Sequence, residues 1–83
     1  MLQGAASIAP YLGFSDARLK TDVTTAGFDG AGRRWVSFRY VWDNPLLRRL
    51  GVIAQEIARS DPGVVLRHGS GYLVVDYAKL GVQ

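Results

Sequence analysis

The 83-residue sequence contains no cysteine, a single histidine and no long hydrophobic run. The absence of cysteine excludes disulfides and thiolate metal sites. One histidine, His68, is a poor basis for a metal site within one chain. A membrane-spanning helix needs about 20 consecutive apolar residues, and no run of that length is present. We therefore expect no metal ion, no cofactor and no membrane partner.

The rest of the composition is that of an ordinary globular protein. Hydrophobic residues make up 48% of the chain and charged residues 20%, a balance that argues against wholesale disorder. A chain of this length buries only about 60–65% of the surface that its unfolded form exposes, so its own stability is marginal. The sequence therefore predicts one small domain that gains stability from a partner.

Positive charge is in slight excess, with a formal net charge of +3. The only tight basic pairs are Arg33–Arg34 and Arg48–Arg49, and each lies at the edge of an apolar segment. A nucleic-acid binder usually carries a denser basic stripe with aromatic residues between the charges. Binding of nucleic acid or another acidic surface through these arginines is therefore only a third alternative, which requires a steep salt dependence.

The first fourteen residues, MLQGAASIAPYLGF, form an apolar arm without charged side chains. No basic residues precede its apolar part, so the pattern of a secretory signal is missing. One interpretation is a disordered or self-packed terminus. The other is a docking arm over residues 1–14 that buries apolar side chains in a partner protein. The candidate partner-binding residues are Ile8, Tyr11, Leu12 and Phe14.

Alternating hydrophobicity predicts a β-hairpin over residues 21–42. Residues 21–28 are rich in Thr and Val, and a turn signal at 29–32 separates them from a second strand over 33–42. One face of the second strand carries four large apolar side chains: Val36, Phe38, Tyr40 and Trp42. Trp35 and Val41 lie on the opposite face, where either a partner or the chain's own terminus would cover them.

Helical periodicity follows the hairpin. Apolar side chains recur at helical spacing at Leu50, Ile53, Ala54, Ile57 and Ala58. Asp61-Pro62-Gly63 ends this pattern, and two further strands follow at 64–67 and 72–77, with a turn at 68–71. The predicted fold class is α+β, with a small mainly antiparallel sheet of two hairpins plus a short strand and one packed helix.

Ser15 and Lys20 are the most interesting residues for chemistry. A serine hydroxyl becomes a nucleophile when a neutral lysine removes its proton, which requires a buried lysine. In a continuous helix the two side chains would lie roughly 140° apart, and in a strand about 16 Å apart. They meet only if the chain bends between them. From the residues alone, a simpler interpretation is a helix-capping Ser15 and a solvated Lys20.

Several short motifs nevertheless occur in a characteristic order. They are SDARLKTDV from Ser15, FRYVW from Phe38, GVIAQEI from Gly51, Pro62 with Val65, and VDYAKL from Val75. Together they resemble the intramolecular chaperone domain of phage endosialidases, tail spikes and tail fibres, which defines the peptidase S74 family. The resemblance covers about residues 15–80.

The resemblance implies a domain that assists the trimeric assembly of phage fibres and then cuts itself off. It implies that Ser15 is the nucleophile, that Lys20 is the general base and that the Phe14–Ser15 bond is cut. It also implies a strand near 49–53 that enters a helix near 54–60, whereas periodicity alone starts the helix near Leu46. The S74-like domain would then occupy residues 15–83.

Because only fourteen residues precede Ser15 and the chain ends soon after Tyr77, we expect a stand-alone domain with an inactive dyad. It would be made in the host cytoplasm and act as a structural and assembly protein of the phage virion. Its partners would be a homotrimer, a larger tail or adsorption-apparatus protein, or both. The alternative is an active Ser–Lys protease and chaperone that cleaves before Ser15.

Overall fold

A computed structural model of the protein describes residues 12–81. The strands form two three-stranded antiparallel sheets, ordered β2-β3-β4 and β1-β6-β5. The predicted α+β class is therefore confirmed, although the strands divide between two sheets. The elements are β1 (Leu12–Phe14), β2 (Lys20–Phe28), β3 (Arg34–Tyr40), β4 (Arg49–Gly51), α1 (Ala54–Ser60), β5 (Val65–Arg67) and β6 (Leu73–Asp76), with 3₁₀ turns at Ala17–Leu19 and Pro62–Val64.

The predicted hairpin is present as β2 and β3. Asp29 closes its turn, because the carboxylate accepts hydrogen bonds from the backbone N–H groups of Ala31 and Arg33. Strand β2 is bulged near its start, where Asp22 takes a positive φ of 52° and the pairing register shifts. Bulges of this kind increase the local twist of a strand.

The buried face of β3 carries the predicted side chains Val36, Phe38 and Tyr40. The fourth predicted member, Trp42, is 58% exposed, so its assignment to this buried face was wrong. The physical reason is that β3 ends at Tyr40, where the chain turns and the N–H of Asp43 bonds the carbonyl of residue 40. The Trp42 ring instead stacks on the ring of Tyr40.

Strand β1 is an element that the hydrophobic pattern did not reveal. It pairs with β6, with Leu12 opposite Asp76 and Phe14 opposite Val74. Strand β6 also pairs with β5, which confirms the second predicted hairpin. The last three residues of the apolar arm therefore belong to the domain's own sheet, at its edge.

Helix α1 begins at Ala54, separated from the end of β4 by two residues, so the helix start implied by the family resemblance is confirmed. The start near Leu46, expected from periodicity alone, is wrong because residues 49–51 pair with β3. Gly51 is required at the end of β4, since a Cβ there would lie 2.6 Å from the hydroxyl of Tyr77.

Two hydrophobic clusters hold the sheets together. One contains Val52, Ala54, Ile57, Val75, Tyr77 and Leu80, with Trp35 packed against it. The other contains Leu19, Val36, Phe38, Tyr40 and Ile53. Residues 52–54 contribute to both, and the segment from β1 to β2 crosses from one sheet to the other. Ser15 and Asp16 lie fully buried on this crossing.

Candidate active site

Ser15 is held between the second sheet and the start of helix α1. Its backbone N–H donates to the carbonyl of Leu73 at 3.1 Å, and its carbonyl accepts from the N–H of Ala54 at 2.7 Å. These bonds fix the backbone on both sides of the Ser15 side chain. The Phe14–Ser15 peptide bond therefore leads into a buried serine whose backbone is hydrogen-bonded on both sides.

The hydroxyl of Ser15 lies 3.0 Å from the hydroxyl of Tyr77. The Tyr77 oxygen also accepts a hydrogen bond from the N–H of Val52 at 3.2 Å. Burial raises the pKa of Tyr77, so the phenol keeps its proton at neutral pH. A Tyr77 that donates to Ser15 leaves the serine proton available to a base.

A 3₁₀ turn brings Lys20 back toward Ser15. Asp16 caps this turn by accepting a hydrogen bond from the N–H of Arg18. The Lys20 ammonium nitrogen then lies 3.3 Å from the carbonyl oxygen of Phe14, the residue before Ser15. The chain therefore bends between residues 15 and 20, so that the Lys20 amine reaches the carbonyl of the peptide bond before Ser15. The simpler interpretation was wrong, because Asp16 is the cap and Lys20 is only 8% exposed.

The environment of Lys20 favours a neutral amine. Burial lowers its pKa from 10.5 to about 7, and the charge of Asp16 opposes this shift only in part. The side chain lies over the rings of Phe38 and Tyr40, with Nζ 4.6 Å from the Phe38 ring centre. A substantial fraction of Lys20 is therefore deprotonated near neutral pH and able to accept a proton.

The carbonyl oxygen of Phe14 accepts hydrogen bonds from two side chains. Lys20 Nζ is one donor, and the Tyr40 hydroxyl is the other, at 2.5 Å. Burial raises the pKa of Tyr40 to about 12, so its hydroxyl remains a donor well above neutral pH. The bond before Ser15 is therefore polarised at its carbonyl oxygen.

Asp16 ties the turn to the rest of the site. Its carboxylate accepts hydrogen bonds from Arg18, from the side-chain amide of Gln55 and from the N–H of Leu73. The hydrogen bonds from Arg18, above all, hold the pKa of Asp16 well below its usual range. The buried carboxylate thus stays charged and connects the 3₁₀ turn to both α1 and β6.

Sequence reasoning did not assign roles to Asp16, Tyr40, Gln55 or Tyr77. All four lie inside the motifs on which the family resemblance depends. Their roles arise only in three dimensions, since Tyr77 is 62 residues from Ser15. The polar residues inside each motif were the signal available in the sequence.

The candidate partner-binding residues divide into two groups. Ile8 and Tyr11 lie outside the described residues. Leu12 and Phe14 lie in β1, and the Phe14 ring packs edge-on against His68 at 5.0 Å between ring centres. The docking function of residues 1–14 stays a prediction.

The four arginines of the basic pairs make contacts within the chain. Arg33 pairs with Asp29 and Asp61, and Arg34 pairs with Glu56. Arg48 bonds Ser37 and backbone carbonyls, and Arg49 pairs with Asp43. These contacts give each guanidinium a structural role and so weaken the case for a phosphate-binding surface.

Within residues 12–81, no cluster of acidic, histidine or cysteine side chains has the composition of a metal site. No helix in that part of the chain is both long and apolar enough to cross a membrane. The site contains a buried serine, a lysine with a lowered pKa and the Phe14 carbonyl oxygen, which accepts a hydrogen bond from that lysine.

A family model described as chaperone of endosialidase, peptidase S74, matches residues 15–66. This is more than half of the chain, and it contains Ser15, Lys20, Tyr40 and Gln55. No curated protein and no solved structure gives a significant match.

Proposed function

Because the chain belongs to the peptidase S74 family of endosialidase chaperones, we propose that it is a chaperone domain that cleaves its own Phe14–Ser15 bond. One observation supports this proposal more strongly than any other. The buried Lys20 amine lies at the carbonyl of the residue before a buried serine, and its pKa is about 7. A serine that only caps a helix and a lysine that only faces solvent would not place a lysine amine at this carbonyl.

The first chemical step is attack by the Ser15 hydroxyl on the carbonyl carbon of Phe14. The neutral amine of Lys20 takes the hydroxyl proton as the Oγ–C bond forms. The carbonyl oxygen takes up the negative charge of the tetrahedral intermediate. Tyr77 supports this step by holding Ser15 Oγ through a hydrogen bond.

Collapse of the intermediate breaks the bond between the Phe14 carbon and the Ser15 nitrogen. The leaving nitrogen takes a proton from the Lys20 ammonium, so the lysine is neutral again. The result is an ester between the Phe14 carbonyl and Ser15 Oγ. A water molecule, activated by Lys20, then hydrolyses the ester to a Phe14 carboxylate and a chain that begins at Ser15.

Intact-mass measurement of the purified full chain tests this function. The wild-type protein should yield a fragment that begins at Ser15, and Ser15→Ala should yield only the full-length mass. Ser70→Ala removes a serine hydroxyl from an exposed turn and should cleave at the wild-type rate. A wild-type chain that stays at full length after prolonged incubation at pH 8 contradicts the proposal.

We also propose a place for the domain: a homotrimer in a phage tail, docked to a larger tail protein through the apolar arm. The family description supports a role in assembly. Exposed apolar side chains after β3 support a further contact surface, since Trp42 is 58% exposed and Leu46 is 90% exposed.

The second candidate function is that of a docking protein with an inactive dyad. The uncharged arm, which leads into the edge strand β1, favours this candidate.

A further inference from the structure

We propose that Tyr40 is a third catalytic residue, whose hydroxyl stabilises the negative charge that develops on the Phe14 carbonyl oxygen. This inference rests on the proposed self-cleavage. Its direct support is the hydrogen bond of 2.5 Å from the Tyr40 hydroxyl to that oxygen. For this role the hydroxyl must keep this contact as the carbon becomes tetrahedral, because an oxyanion donor acts at the position that the charged oxygen takes up.

The Tyr40 ring is fixed by packing on both sides. It stacks on Trp42 with ring centres 4.5 Å apart and meets Phe38 edge-on at 5.0 Å. The Arg49 guanidinium, paired with Asp43, lies 5.6 Å from the ring centre. A hydroxyl held in this way needs no reorganisation when charge develops, which is the condition for electrostatic catalysis.

The chemistry of the first step favours a second donor besides Lys20. Lys20 must be neutral to accept the Ser15 proton, and a neutral amine is a weak donor to an oxyanion. Tyr40 remains protonated in the pH range where Lys20 is neutral. After proton transfer the Lys20 ammonium, 3.3 Å from the same oxygen, adds its charge. The two groups therefore act in sequence on one atom.

The test compares cleavage rates of Tyr40→Phe and the wild-type full chain by intact mass over pH 6–10. We expect a rate about 10²-fold lower for Tyr40→Phe, the usual effect of removing one oxyanion donor. The apparent pKa of the rising part of the profile should be unchanged, because it belongs to Lys20. The matched control is Tyr72→Phe, a tyrosine packed against the same hydrophobic cluster, which should cleave at the wild-type rate.

A ring-fluorinated tyrosine at residue 40 provides the second variant, since it keeps both ring and hydroxyl but ionises at lower pH. Its cleavage rate should fall on the alkaline side within pH 6–10, a range in which the wild type keeps its rate because the pKa of Tyr40 is about 12. Wild-type rates for Tyr40→Phe, or a fluorinated chain whose rate does not fall on the alkaline side of that range, overturn the role of Tyr40 and leave self-cleavage standing. A wild-type chain that is never cut overturns both.

Discussion

Burial of Lys20 destabilises the folded domain and also lowers the pKa of its amine. The side chain lies almost entirely out of water beside aromatic rings, and burial is the main reason for its lowered pKa. A buried charge of this kind destabilises a domain whose hydrophobic clusters are small. Ionisable groups perturbed by burial and specific contacts are concentrated at functional sites, so the cost is consistent with a base that acts near neutral pH.

The stability of the domain should depend on pH through Lys20. Its pKa is about 7 in the folded state and 10.5 as the reference value, so between these values the unfolded state binds more protons. The free energy of unfolding therefore rises with pH across this window, and the full destabilisation is present below pH 7. Lys20→Met should be more stable than its parent by about 5 kcal/mol at pH 6, the free energy that corresponds to a pKa of about 7 in the folded state against 10.5, and by less toward pH 10.

Urea unfolding at pH 6 and pH 9.5 measures this difference, in a Ser15→Ala background that cannot cleave. The other lysine of the sequence, Lys79, is exposed, so Lys79→Met should leave the pH dependence of the parent unchanged. A difference between Lys20→Met and its parent that stays constant from pH 6 to 9.5 is incompatible with a buried ammonium.

The sequence suggested Ser15 and Lys20 as a candidate pair, but their spacing could not show where the chain places the lysine amine. Neither a continuous helix nor a strand brings Lys20 back toward residue 15, and the feature that directs its amine to the Phe14 carbonyl is the 3₁₀ turn capped by Asp16. Tyr40 and Tyr77 approach the site from β3 and from the end of β6. Such contacts depend on tertiary packing, which hydrophobic periodicity does not encode.

At the scale of elements, periodicity succeeded where a strand buries one face. Strand β3 is the clearest case, because its buried and half-buried residues alternate as the pattern predicted. Strand β1 could not be found, since three residues within a uniformly apolar arm carry no alternation. The start of α1 was ambiguous because Leu50 and Ile53 fit helical spacing although residue 50 pairs with β3. Only the family motif separated strand from helix there.

Gly51 links strand β4 to the chemistry of the site. A Cβ at this position would lie 2.6 Å from the Tyr77 hydroxyl and 3.3 Å from the Phe38 ring. Gly51→Ala should therefore displace Tyr77 from Ser15 and Val52. We expect a loss of about 1–3 kcal/mol in the free energy of unfolding, typical of overpacking, together with slower cleavage.

Gly27 is the matched control, since it also lies in a strand but a Cβ added there would have no neighbouring atom within 4 Å. Gly27→Ala should change the free energy of unfolding by no more than about 0.5 kcal/mol. It should leave the cleavage rate unchanged. Chemical denaturation and intact mass measure both quantities. Equal effects of the two substitutions would remove the special role of Gly51.

At the scale of the whole molecule, the core is divided and small. Its buried residues divide into two small clusters, to both of which residues 52–54 contribute, while Phe28, Val41, Trp42 and Leu46 are exposed. A domain of this size gains little net stability from its own burial, and exposed apolar surface marks sites of association. Both considerations favour a chain that functions in an assembly.

The proposed homotrimer and the apolar arm can be tested together by light scattering of the Ser15→Ala chain, in which the arm stays attached. We expect a trimer that dissociates when Ile8→Asp and Tyr11→Asp place charges among the arm's apolar residues, because buried carboxylates are costly. Gln3→Asp with Ser7→Asp adds the same charge at polar positions and should leave the trimer intact. A parent that is monomeric at every concentration contradicts the trimer. If both double variants dissociate the trimer, net charge alone explains the effect, and the proposed burial of Ile8 and Tyr11 is contradicted.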